Sequence, residues 1–207
     1  MNDYSLLMNM MIPKNRFKIL NFLIRNLEMY NINQIARALN ISVGSAHKIL
    51  KSLKERGIVN AKELGNAIYY NLNFNNESER ILSVIVLMED KNDRLDKNKL
   101  AKVYASDLEK FDARLIILFG SILNKKEQAK DVDVLFIIKN KEQVEEVNKF
   151  CLEISKIRPK NIHPLILLEQ DFVNNLKNKK KAIIDLVKEG IILKGKDIFI
   201  KCIKNAC

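Results

Sequence analysis

Cysteine is scarce in these 207 residues: Cys151, Cys202 and Cys207 are the whole supply. Their spacing fits no metal-ligand pattern and no histidine cluster accompanies them, so a disulfide framework is not expected. A reducing, cytoplasmic setting is the expected location. Long apolar runs are also missing. The Met-rich start, Met8 to Met11 broken by Asn9, is too short to span a bilayer. No continuous apolar stretch with a cleavage site opens the chain, so no secretory leader and no membrane partner are expected. Internal repeats and low-complexity segments are absent as well. Acidic residues are in deficit, with 25 Asp and Glu against 36 Lys and Arg, a net charge of +11 and a pI near 9.5. Such a balance suits an acidic partner. The excess lies in two lobes: residues 1–75 hold 10 basic against 4 acidic groups, and residues 111–207 hold 19 against 13. Residues 76–110, with 7 against 8, are close to neutral. At 47% apolar residues, each lobe has enough to bury a core of its own.

The richest pattern lies in the second lobe. Asp131 and Asp133 open the apolar run Val132-Asp133-Val134-Leu135-Phe136-Ile137-Ile138, which reads as a strand. Side chains two apart on a strand share a face, and their Cα atoms stand roughly 6–7 Å apart. Two carboxylates so placed suit one or two hard divalent cations, Mg²⁺ foremost. Upstream, Leu115-Ile116-Ile117-Leu118-Phe119 reads as a buried strand that ends at Gly120-Ser121. Backbone amides at such a bend suit a phosphate.

Phe119-Gly120-Ser121, the nine residues Ile122 to Lys130, and Asp131-Val132-Asp133-Val134 together resemble the signature of the DNA polymerase beta-like nucleotidyltransferases, in particular the minimal nucleotidyltransferases. The resemblance covers about residues 110–201. It implies that Gly120 and Ser121 bind a nucleoside triphosphate and that Asp131 and Asp133 are catalytic and hold Mg²⁺. It further implies a third carboxylate on a later strand, where it would activate the attacking hydroxyl. The later strand here, Asn161-Ile162-His163-Pro164-Leu165-Ile166-Leu167-Leu168, carries His163 at about that place and no acid. Pro164 argues for an edge strand. Glu169 and Asp171 read as the start of the next helix. The resemblance therefore leaves the enzyme question open.

The first lobe carries a different pattern. Arg16 to Asn26 has a helical apolar stripe through Phe17, Leu20, Phe22, Leu23 and Ile24. After a break at Tyr30-Asn31, Asn33 to Leu39 reads as a short helix. Asn40-Ile41-Ser42 makes a turn, and Ser42 suits the N-cap of a third helix reaching Arg56. Gly57 ends that helix, and a two-stranded hairpin follows with Gly65-Asn66 as its turn. Helix, short helix, turn, helix and hairpin is the order of a winged helix-turn-helix. Residues 33–50 resemble the core of bacterial and archaeal winged-helix regulators, and the likeness covers about residues 14–73. It implies duplex DNA as a partner and a possible homodimer. Arg37, Ser42, Val43, Ser45, His47, Lys48, Lys51 and Lys62 are the expected DNA-facing residues, the lysines meeting phosphates.

Between the lobes, Glu79 to Glu89 reads as an apolar helix and the charged run Glu89 to Lys102 as a solvated linker leading into a helix that ends near Lys110. The expected fold is α+β: a winged helix-turn-helix over 1–75, a helical connector over 76–110, and a nucleotidyltransferase-like mixed sheet flanked by helices over 111–207. Two functions follow. One is a DNA-binding protein that transfers a nucleotide from an NTP to an acceptor hydroxyl with Mg²⁺. The other is a transcriptional regulator whose nucleotidyltransferase-like domain is non-catalytic and senses nucleotide or binds a partner. A toxin–antitoxin role is a third option that the resemblance allows.

Overall fold

The computed structural model describes residues 12–206. The Met-rich start and Cys207 lie outside them. Contacts divide the chain into two compact units that meet in sequence at Glu89 and Asp90.

The first unit begins with α1 (Lys14–Arg25), which buries Ile19, Leu20, Leu23 and Ile24. The pair Tyr30–Asn31 forms strand β1, followed by α2 (Ile32–Leu39) and α3 (Val43–Glu55). Asn31 and Gln34 make a reciprocal capping box at the start of α2. Asn40 closes that helix in the left-handed region at φ 50°, a conformation that asparagine tolerates better than most residues. Ser42 Oγ accepts from the Ser45 backbone N–H and so caps α3. Ala46, Leu50 and Leu53 of α3 are buried. Strands β2 (Val59–Leu64) and β3 (Ala67–Leu72) flank a two-residue Gly65-Asn66 turn.

One expectation needs correcting here. Tyr30-Asn31 is not a break but an edge strand that pairs with Tyr70 and Tyr69 of β3, so the hairpin becomes a three-stranded sheet of order β1-β3-β2. Phe22 packs edge-on against Tyr30 at 5.0 Å and helps to seat this short strand on α1.

Helix α4 spans Glu77–Asp96 and contains the junction between the units. This is the second correction: the charged run from Glu89 is not a linker but helix as far as Asp96. Asp90 with Arg94 and Asp93 with Lys97 are ion pairs at i,i+4, a spacing that supports helix rather than coil. Asn98 then caps α5 (Lys99–Leu108), accepting from the Ala101 N–H at 3.0 Å.

The second unit is a four-stranded sheet of order β6-β5-β4-β7, built from β4 (Leu115–Phe119), β5 (Val132–Ile138), β6 (Ile162–Leu168) and β7 (Ile191–Lys194). Strands β4 and β5 are antiparallel, β4 and β7 antiparallel, β5 and β6 parallel. The parallel pair is joined through α7 (Gln143–Ile157), the connection such a pair requires. Pro164 lies on β6, which is an edge strand as expected. The short α6 (Ser121–Lys125) follows β4; α8 (Glu169–Lys177), α9 (Lys181–Glu189) and α10 (Lys196–Ala206) complete the unit. Val132, Val134, Phe136 and Ile138 share a core with Tyr104, Leu108, Val147 and Ile154. Strand alternation sends Asp133, Leu135 and Ile137 to the opposite face, against which α8 and α10 pack. Among the described residues no helix is long and apolar enough to cross a membrane.

Candidate functional site

Three strand ends meet at one edge of the second sheet. Strand β4 arrives there at Phe119, which pairs with Asp133. Antiparallel β5 departs from it, with Asp131 just ahead of the strand and Asp133 inside it. Parallel β6 departs alongside, and His163 stands directly beside Asp133 in the register. The in-register side chains of neighbouring parallel strands share a face, so the imidazole and both carboxylates converge. Ligand atoms of Asp131, Asp133 and His163 all lie within 4.8 Å of one another. His163 Nδ1 is 3.3 Å from Asp131 Oδ2.

Gly120 is the second fixed element of this site. Its φ is 80°, a left-handed value that an L side chain resists. A Cβ at this position would overlap Asp133 Oδ2. The Asp133 carboxylate therefore rests directly on the bend, in space that only glycine leaves open. Ser121 is the first residue of α6. Gly120, Ser121, Asp131 and Asp133 are thus all brought to one place.

Burial pushes the Asp133 carboxyl above its ordinary value, and the neighbouring Asp131 charge adds to the shift, with His163 opposing it. Asp133, crowded by the Asp131 carboxylate and held above its ordinary value, belongs to a site that gains from a cation. Two oxygen donors and one imidazole nitrogen within this span fit a divalent metal ion.

Several groups that hold the site were not visible in the sequence pattern. Lys160 Nζ donates to the carbonyl oxygens of Glu127 and Ala129, at 2.8 and 2.5 Å, and so braces the segment that leads into Asp131. Tyr104 Oη donates to Lys160 O and accepts from Lys160 N. Asn98 Nδ2 donates to Ile122 O at 2.9 Å, tying the residue after Ser121 to α5. An Asn before a helix is a readable cap; the long-range second contact is not. Glu169 and Asp171 belong to the first turn of α8. Glu169 pairs with Arg114 and Lys201, and its strand end lies five residues beyond His163, roughly 17 Å along β6.

In the first unit, Arg37, Ser42, Val43, His47, Lys48, Lys51 and Lys62 are exposed. Val43 is 50% exposed although apolar. Ser45 is set apart from the others: it is half-buried, and its Oγ accepts from Asn15 Nδ2 at 3.2 Å. A cleft of about 460 Å³ opens between the start of α3 and the hairpin turn, with Asn31, Asn33 and Asn66 among its polar lining and Val43 and Ile68 among its apolar lining. These asparagines had no sequence signal beyond turn propensity.

Residues 98–199 match the family model described as Polymerase beta, Nucleotidyltransferase, and residues 12–60 match the one described as Winged helix-turn-helix DNA-binding. The chain carries both domains, in that order. No curated protein and no solved structure matches the chain. Domains of the nucleotidyltransferase type generally use divalent metal ions, and the Asp-Asp-His group lies inside the matched segment. The winged helix-turn-helix match includes α1, α2, α3 and the first residues of β2.

Proposed function

We propose that this is a DNA-binding protein whose nucleotidyltransferase domain holds a nucleoside triphosphate with Mg²⁺ and transfers the nucleotide to an acceptor hydroxyl. The observation that carries this reading is the seating of Asp133 on Gly120 with Asp131 beside it. Gly120 leaves room for the carboxylate and for a close approach to phosphate. Ser121 offers its backbone N–H and hydroxyl to phosphate oxygens. Asp131 and Asp133 hold the cation, which when bound neutralises phosphate charge and steadies the departing pyrophosphate. The acceptor hydroxyl gives its proton to water as its oxygen bonds to the α-phosphorus, the bond from the α-phosphorus to the bridging oxygen breaks, and pyrophosphate leaves with the electron pair. Gly120 and the aspartates contribute position and charge stabilisation rather than covalent chemistry.

His163 favours a second reading. It stands in register with Asp133 where the family resemblance calls for an acid. A site that grips metal and nucleotide without that acid suits a regulator that senses nucleotide. Incubation of the full chain with labelled NTP, Mg²⁺ and candidate acceptors separates the two. Pyrophosphate release supports transfer. Saturable, metal-dependent NTP binding without release across acceptors supports the sensor.

For the winged domain, we assign duplex contact to Arg37, Ser42, Val43, Ser45, His47, Lys48, Lys51 and Lys62. Lys48 and Lys51 lie one turn apart or less on α3, close enough to track phosphates. Val43 offers an apolar surface at the end of the helix that meets base edges. Buried, unpaired Cys151 and Cys202 are compatible with a reducing cytoplasm.

A further inference from the structure

Resting on the cation site proposed above, we propose that His163 is itself a metal ligand and tunes that site from Mg²⁺ toward Mn²⁺ and similar octahedral first-row transition ions. The backbone carries the first part of the argument. Parallel register sets His163 against Asp133 and sends both side chains to the same face. That register follows from seven consecutive paired residues, Val132 with Ile162 through Ile138 with Leu168. A slip by one residue would turn His163 away. Pro164, next along the edge strand, stiffens the backbone at this point.

Donor spacing carries the second part. The separation of 3.3 Å between His163 Nδ1 and Asp131 Oδ2 is close to the ~3 Å between adjacent ligands of an octahedral ion with bonds of about 2.1 Å. All three donors fall within 4.8 Å, so a small rotation of the exposed His163 side chain closes them on one ion. The His163 side chain is 62% exposed and is free to make that rotation. Among the described residues no other His, Cys, Asp or Glu belongs to this group.

Chemistry supplies the third part. Mg²⁺ is hard, takes oxygen ligands and gives up water reluctantly. An imidazole nitrogen is a poor exchange for a carboxylate at such an ion. It also removes one negative charge from the donor set. Transition ions accept imidazole and carboxylate together. Mn²⁺ also tolerates the octahedral, oxygen-rich surroundings of a triphosphate. The exchange of an acid for His163 thus lowers affinity for Mg²⁺ more than for Mn²⁺. The site then responds to transition-metal supply as well as to nucleotide.

The test uses the full chain, Mn²⁺ and Mg²⁺. Electron paramagnetic resonance of added Mn²⁺ measures occupancy while Mg²⁺ is titrated in. The wild type is expected to keep its Mn²⁺ at a roughly 100-fold excess of Mg²⁺, about 2.7 kcal/mol of preference. His163→Asp restores an all-oxygen set and should cut that preference at least tenfold; His163→Ala should weaken Mn²⁺ and leave Mg²⁺ little changed. Electron spin echo modulation from a directly bound ¹⁴N nucleus should be present in the wild type and absent in His163→Asp. Mn²⁺ bound without ¹⁴N coupling, or a preference unchanged in His163→Asp, overturns the proposal. In that case His163 is only a hydrogen-bonding neighbour of Asp131, and the cation site of the aspartates stands. Ion binding that survives Asp131→Asn with Asp133→Asn overturns the cation site itself.

Discussion

The two units expose their chemistry in different ways. In the winged domain the residues proposed to face DNA come mostly from one short stretch, residues 37–51, and α3 carries most of them. In the nucleotidyltransferase domain, Gly120, Asp133 and His163 lie on or beside three different strands, across more than forty positions of chain. A site on one helix is tolerant, because each side chain reaches its partner by its own rotamer. A site assembled from strand ends is intolerant, because register and backbone shape fix every group at once. Substitutions should therefore produce graded losses in the first unit and abrupt ones in the second.

The largest effect is expected from Asp131→Asn combined with Asp133→Asn. Calorimetric titration of NTP with divalent metal should show affinity reduced at least ~100-fold, the order expected when a charge pair facing phosphate-bound metal is lost. Duplex binding by the same protein should be unchanged. Equal loss of both would break the contrast between the units.

Gly120→Ala comes next. The new Cβ meets Asp133 Oδ2, and the left-handed backbone adds strain. Denaturant unfolding should show a destabilisation of about 1–3 kcal/mol, together with metal–nucleotide affinity at least ~10-fold weaker. Near-wild-type affinity would mean that Asp133 need not rest on the bend.

Lys48→Ala and Lys51→Ala should have smaller, additive effects. Each should weaken duplex binding at every sequence and lower the slope of log affinity against log salt by about 1. Loss confined to particular base sequences would move those lysines from phosphate to base contact. Nucleotide binding should not change.

The smallest effect concerns stability and pH. Folding raises the Asp133 pKa through burial and the charge of Asp131. Its contribution to stability is therefore present at acid pH, where the group is protonated in both states, and is lost as pH rises through the folded value. Asp133→Asn mimics the protonated form. Without metal it should raise Tm by on the order of 1–2 °C near neutrality, and this difference should shrink as pH falls below the raised pKa. A difference constant with pH would assign the gain to something other than the carboxylate's charge.

Much of both domains was legible because local physics repeats in the chain. Ser42 before α3, the Gly65-Asn66 turn, and the spacing of Leu50 and Leu53 are decided within a few residues. Gly120-Ser121 and Asp131-Val132-Asp133 were legible as local motifs, although Asp131 stands just ahead of β5, where alternation no longer fixes its side chain. Tyr30-Asn31 was not legible: a two-residue strand has no period, and it exists because β3 offers it partners. The helix through Asp90 and Asp93 was missed because charge density suggested solvent, whereas the i,i+4 pairing of those charges supports helix. Lys160 and Tyr104 had no signal at all, since their bonds span 31 and 56 positions.

Sequence by itself determined most of the order of elements and the likeness to the two families, because propensity, capping and alternation act over single turns and strands. Tertiary structure alone decided that His163 stands against Asp133 and that Asp133 lies over Gly120. Strand register is a long-range choice, set by which apolar faces pack together across the sheet.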